Sequence, residues 1–290
     1  MYSAVLWVLL FGMLPVPAVP SASQVPIIDI PVASPSPLKG FKPSTPFEVG
    51  RLSASGVLIS DLESGQVIYA SGENIARPMA SLTKLMTAII IAENEDLNEW
   101  VTVPDDVSAV DGAVERLPKG KQFTVGDLLS ALLISSANDA AETLARHHAG
   151  SVTEFVSLMN ARAEMLGLQG THFSNPAGLD ALDQRSTAAD VAWLASFAFR
   201  HQEIRDRLSM RGTKIQSRDG TVIALTHTHA LLHTDSPVFA GKTGTTNGAR
   251  QCLLSFATIK GRTYVVVLLN SLQRYKDMQK VLKILQEPFA

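Results

Sequence analysis

Ser81 and Lys84 stand three residues apart in "RPMASLTKLMTA", Arg77 to Ala88, at the head of the apolar run Leu85 to Ile91. On a helix starting near Ser81, that spacing puts both side chains on one face and within mutual reach. A serine hydroxyl attacks a carbonyl only when a base takes its proton, and a helix amino terminus favours the alkoxide. A lysine can be that base when burial or a second cation lowers its pKa, and the apolar run supplies the burial. The plainer reading is that Ser81 caps the helix and Lys84 solvates it.

Two further stretches offer polar chemistry. "SSAND", Ser135 to Asp139, interrupts an apolar helix and presents Ser136 and Asn138 where the backbone turns. Taken alone it is a helix break with an N-cap. "KTGTT" spans Lys242 to Thr246. It supplies a cation at Lys242, hydroxyls at Thr243 and Thr245, and at Gly244 a place where a substrate backbone can approach a strand edge closely. Alone it could be a flexible basic turn.

Together, and in this order, the three stretches resemble the active-site set of the penicillin-recognising serine enzymes, Ser-x-x-Lys, Ser-x-Asn and Lys-Thr-Gly. The separations, 55 residues from Ser81 to Ser136 and 106 from Ser136 to Lys242, are similar to those of the low-molecular-weight D-alanyl-D-alanine carboxypeptidases and related endopeptidases. "NDAAETLA", Asn138 to Ala145, and "THFSNPAGLD", Thr171 to Asp180, also resemble that family in wording. The likeness runs from about Leu52 to Leu269. It implies an acyl-enzyme on Ser81 with Lys84 accepting its proton, and a relay through Ser136 and Lys242 to the leaving D-alanine. Asn138 would hold the peptide amide and orient Lys84, while Thr243 and Thr245 would bind the terminal carboxylate. The backbone amides of Ser81 and Thr245 would form the oxyanion hole, beside Gly244. Lys242 is expected to help depress the pKa of Lys84. No metal or other cofactor is implied; the partners are peptidoglycan peptides ending in or cross-linked through D-alanine, and β-lactam inhibitors.

The elements that must hold these residues can be read from pattern. Ser55–Asp61 and Gln66–Ala70 read as two strands around the turn "ESGQ". Helices are predicted over Leu82–Ala92, over Val125–Ile134 with Thr124 as N-cap, and over Asp139–His148 after the break. Two more follow over Thr153–Leu166 and over Ala188–Phe199, the latter capped by Ser186 or Thr187. Gln251–Ile259 and Arg262–Leu269 read as a hairpin about "KG", and Tyr275–Gln286 as a closing helix. Strands at both ends with helices between predict an α+β fold: an antiparallel sheet built from distant parts of the chain, flanked by helices, with a mostly helical inserted subdomain. This is the β-lactamase-like DD-peptidase architecture that the resemblance also implies.

Composition bounds the rest. The 290 residues are 46% hydrophobic, enough for a large core, and the net charge of -2 gives no electrostatic reason to bind nucleic acid or an anionic membrane. The single cysteine, Cys252, excludes an intramolecular disulfide and reads as a buried strand thiol. Ala4–Leu14 matches a signal-peptide apolar region in length, and Ser21 and Ser23 fit cleavage after Ser23. The expectation is a signal peptide over 1–23, a proline-rich linker over 24–50 and a catalytic domain over 51–290, exported to the periplasm or beyond without a strong membrane anchor. An uncleaved anchor is the alternative. The n-region has no Lys or Arg.

Two departures from the family's wording stand out. "HTHALL" puts His227 and His229 where the family has an Asn-x-Asn pattern, and with His233 they invite a metal reading on one strand face, though no carboxylate or cysteine cluster completes it. After the closing helix nothing remains for an extra β-domain, which leans toward shorter, endopeptidase-like members. A class A β-lactamase would carry Glu-x-x-Leu-Asn, and none occurs. A non-catalytic peptidoglycan-binding protein on the same fold is the reading from another class.

Overall fold

The computed structural model describes residues 51–107 and 117–287. The expected signal segment and linker, 1–23 and 24–50, lie outside the described residues. The chain opens with β1 (Gly56–Asp61) and β2 (Val67–Ser71), an antiparallel hairpin. Its turn is closed by the Asp61 carboxylate, which accepts the amides of Glu63 at 3.1 Å and Ser64 at 2.8 Å. The last strands are β7 (Val238–Thr246), β8 (Arg250–Ile259) and β9 (Arg262–Ser271), and they join the first hairpin in one five-stranded antiparallel sheet of order β2-β1-β9-β8-β7. Lys260 and Gly261 both adopt positive φ, 51° and 77°, as the tight β8–β9 turn requires.

Alternation along these strands divides the core in two. In β9, Val265, Val267 and Leu269 face one side; in β8, Cys252, Leu254 and Phe256 do the same. There they meet α5 (Ala188–Ala198) and the helical subdomain. Val266 and Leu268 face the other side, against Met278, Val281, Leu282 and Leu285 of the closing helix α7 (Arg274–Gln286). The Asp277 carboxylate of α7 accepts the amides of Ser53 and Ala54, both at 2.9 Å, and the Ser53 hydroxyl at 2.6 Å. The start of the described chain is thereby moored to its end.

The inserted subdomain holds α1 (Lys84–Asn94), α2 (Val125–Ser130), α3 (Asn138–Ala149), α4 (Val152–Met165) and α6 (Gln202–Ser209). Two short antiparallel strand pairs accompany them: β3 (Trp100–Thr102) with β4 (Gln122–Thr124), and β5 (Gly212–Gln216) with β6 (Val222–Thr226). Neither pair nor α6 was expected from the sequence. Two boundaries differ in ways that matter for the site. A 3-10 turn, Ala80–Thr83, precedes α1, so Ser81 lies on that turn and α1 begins only at Lys84. The helix expected over Val125–Ile134 stops at Ser130, and Ala131–Ser135 form a wider π turn. Hydroxyls of Ser130 and Ser135 bond back to the carbonyls four residues earlier, at 2.8 and 3.0 Å, and loosen the regular ladder there. Thr124 does cap α2, accepting the Asp127 amide at 3.0 Å, and Thr187 rather than Ser186 caps α5.

Candidate active site

The turn carrying Ser81 is squeezed between two glycines. Ala80 adopts φ 49°, a left-handed conformation that L residues seldom hold without surrounding constraint. Gly178, at φ 86°, lies so close behind it that a methyl group there would collide with the Ala80 carbonyl and reach 2.9 Å from the Ser81 amide. Gly244 of β7 approaches from the other side, where a methyl group would stand 2.9 Å from the Ala80 Cβ and 3.0 Å from the Ser81 amide. Gly178→Ala therefore combines a strained φ with a backbone clash and is expected to cost about 2–4 kcal/mol. Chemical denaturation checks the loss, and the penicillin-labelling rate of the surviving folded fraction should fall with it.

Lys84 is fully buried, and its Nζ has three neighbours: Ser81 Oγ at 3.1 Å, Asn138 Oδ1 at 2.6 Å and the Ala177 carbonyl at 2.6 Å. Two of these oxygens carry no proton and can only accept. A neutral amine has two N–H bonds, which they use up, so its lone pair is left for the Ser81 hydroxyl. Burial brings the Lys84 pKa down to about 7, with the Asp139 carboxylate pulling it partly back up. The expected push from Lys242 is not among these causes. It falls instead on Lys242, which burial, then Lys84 and Arg274, hold well below the usual lysine range. Asp139 is itself raised by burial and accepts the Leu117 amide at 2.5 Å.

The π turn delivers Ser136 in a left-handed conformation, φ 62°, and its Oγ meets the buried Lys242 Nζ at 2.6 Å. Lys242 also donates to the Thr243 carbonyl at 3.0 Å. Asn138 is the first residue of α3. The three stretches therefore converge as two lysine–serine pairs, with Asn138 joined to Lys84. β7 is the sheet's terminal strand, hydrogen-bonded only to β8. Along it the two threonines differ. The Thr243 hydroxyl is paired with that of Thr228 at 2.6 Å, whereas Thr245 is exposed and accepts from Arg274 Nη1 at 2.8 Å.

Some participants were invisible in the motifs. Arg274 opens α7 and brings a guanidinium beside the Gly244 carbonyl at 3.0 Å. The "SNPAGLD" segment resembled a family phrase without an assigned task. In the structure the Asn175 carboxamide gathers the amides of Ala177, Gly178 and Leu179 at 3.2, 2.7 and 3.0 Å, so the Ala177 carbonyl is fixed toward Lys84. The Asp180 carboxylate then accepts from the Thr246 hydroxyl at 2.6 Å and the Gly248 amide at 2.8 Å, tying that segment to β7.

The three histidines do not share a strand face. They lie after β6, and each is turned to a different partner. His227 Nδ1 accepts the His229 amide at 3.0 Å, His229 Nε2 meets Ser255 Oγ at 2.9 Å, and His233 Nε2 meets the His227 carbonyl at 2.8 Å. Burial depresses both His227 and His229 to about 3, so they are neutral packing groups beneath β7. Cys252 is buried, and burial pushes its thiol up to about 11.

A sequence-family profile described as D-alanyl-D-alanine carboxypeptidase matches residues 40–273. A D-alanyl-D-alanine endopeptidase of Pseudomonas aeruginosa is 31% identical over 248 residues, covering 84% of this chain and 78% of that protein. A D-alanyl-D-alanine carboxypeptidase of Bacillus subtilis is 29% identical over 84% of this chain, which spans only 64% of the Bacillus protein's length. Among solved structures, a D-alanyl-D-alanine carboxypeptidase of Mycobacterium tuberculosis superposes with a TM-score of 0.78 at 27% identity, covering 84% of this chain and 95% of that one. A Streptomyces DD-transpeptidase gives 0.75 at 28% identity, covering 81% and 98%.

Proposed function

The chain belongs to the D-alanyl-D-alanine carboxypeptidase family, and on that premise we propose that it hydrolyses D-alanyl-D-alanine stem peptides of peptidoglycan through an ester on Ser81. The observation that carries the reading is the environment of Lys84 Nζ. Two pure acceptors take its protons, and a pKa of about 7 leaves a neutral fraction at physiological pH. That amine accepts the Ser81 proton as Oγ attacks the penultimate carbonyl. Negative charge then develops on the carbonyl oxygen beside the amides of Ser81 and Thr245, where a preorganised donor contributes about 3 kcal/mol to lowering the barrier. The depressed Lys242 and the Ser136 hydroxyl pass a proton to the departing D-alanine amine. Water then hydrolyses the ester.

The substrate is held as an added strand along the free edge of β7, with Asn138 donating its amide to the peptide. Thr245, backed by Arg274, takes the terminal carboxylate; Thr243 reaches it only by exchanging its bond with Thr228. Penicillins mimic this substrate and acylate Ser81, and because the sequence lacks the Glu-x-x-Leu-Asn segment that class A β-lactamases use for deacylation, the ester turns over slowly. We further infer export, with 1–23 as signal and 24–50 as linker. Among the described residues no helix is long and apolar enough to cross a membrane.

A second reading, D,D-endopeptidase on cross-links, is favoured by the 31% identity to a relative of that name, of which this chain covers 78%. Digestion of isolated peptidoglycan tests both. Free D-alanine is expected for the carboxypeptidase, cross-linked dimers falling to monomers for the endopeptidase. Penicillin labelling with neither product would leave the hydrolase reading without support.

A further inference from the structure

Glu95, Glu99 and His147 lie outside every motif, and their ligand atoms all fall within 4.8 Å of one another. Glu95 immediately follows α1, Glu99 precedes β3, and His147 is in the last turn of α3. His147 Nε2 is buried and makes no hydrogen bond, although it stands 3.4 Å from Glu95 Oε2 and 3.7 Å from Glu99 Oε2. Those separations are long for hydrogen bonds. The first lies within, and the second just beyond, the edge of a tetrahedron about a zinc-like ion, about 3.3–3.6 Å for ligands at 2.0–2.2 Å from the metal.

We propose that Glu95, Glu99 and His147 form a site for one divalent transition-metal ion with zinc's coordination preference, water completing its shell. Two features support the site beyond spacing. The second oxygen of Glu95 is held by His148 Nδ1 at 2.5 Å, the kind of outer contact that orients a ligating carboxylate. The carboxyl ends of α1 and α3 both converge here, and their dipoles add negative potential where the cation sits. One imidazole and two carboxylates suit zinc or a similar ion, whereas calcium takes six to eight oxygens and would find too few.

The placement assigns the ion a structural task. α1 begins with Lys84 and α3 with Asn138, the pair joined at 2.6 Å in the active site. The metal would fasten the opposite ends of the same two helices, about 16 Å from Lys84 along an 11-residue helix. This inference does not depend on the proposed hydrolysis.

Equilibrium dialysis of the full chain against Zn²⁺, followed by metal analysis, tests it. One equivalent is expected for the parent protein, with Ca²⁺ and Mg²⁺ failing to compete. Glu99→Gln, an exposed and conservative change, and His147→Gln should each weaken binding at least about tenfold. Zinc should raise the thermal midpoint of the parent by several degrees and leave that of His147→Gln unmoved. His172→Gln, outside the cluster and paired with the Asp183 carbonyl, should bind as the parent does. A parent that takes up no zinc, or a His147→Gln protein that keeps its equivalent, overturns the proposal, as would displacement of zinc by equimolar Ca²⁺.

Discussion

Ser81→Ala is expected to abolish covalent labelling by a fluorescent penicillin and to remove product release from stem peptides, while the protein stays folded. The alanine loses the attacking oxygen and one 3.1 Å contact to Lys84, but the lysine keeps both of its 2.6 Å acceptors and the turn keeps its backbone. The lost activity therefore cannot be attributed to collapse, and a thermal midpoint close to that of the parent is part of the expectation. Labelling at the parental rate would remove Ser81 from the chemistry altogether. The outcome also separates the enzyme from a binding protein on the same fold, whose affinity for peptidoglycan would survive the change.

Lys84→Ala comes next in size. Removing a positioned general base slows proton transfer by about 10²–10⁴-fold, and among the described residues Lys84 is the base hydrogen-bonded to the Ser81 hydroxyl. The change also leaves the Asn138 and Ala177 oxygens facing a cavity, so part of the loss will be structural, and the pH profile is the cleaner readout. With a pKa of about 7, Lys84 is increasingly protonated as the pH falls. Acylation by the parent should then drop toward about tenfold per pH unit below 7, and level off above it. The Asp139 carboxylate raises that pKa, so Asp139→Asn should move the acid limb to lower pH. A parental rate independent of pH between 5 and 8 would exclude Lys84 as the base.

The residue pairs of this candidate site were legible in residue order because each pair is local in sequence. Ser81 and Lys84 share one stretch, as do Ser136 and Asn138, and a three-residue separation survives the change from helix to 3-10 turn. The strand pairs flanking "ESGQ" and "KG" were legible for a similar reason: period-2 apolar runs around turn residues leave few alternatives. Contacts made across long separations were not. Arg274 follows Lys242 by an entire hairpin, and its guanidinium reaches Thr245 only because β7 and the head of α7 adjoin β8 from different sides. The π turn was hidden because Ala131–Ile134 is apolar, and periodicity cannot register a ladder loosened by serine back-bonds at its two ends. β3 and β4, at three residues each, are too short to show a period. The histidines misled for the opposite reason: a two-residue spacing suggests a strand face, but the chain there is irregular and each ring is drawn to its own partner.

The sheet's strand order has a consequence for how the molecule comes into being. β1 lies between β2 and β9, and β9 is the last strand to be synthesised. The central pairing must wait for residues about 200 positions downstream, so the early hairpin has no lasting neighbour while the chain is growing. Loop closure over that span is slow, and the helical insertion has time to collapse first. The meeting of Ser81 and Lys84 with the Lys242 strand is thus among the final features to be assembled, because β7 reaches the first hairpin only through β8 and β9.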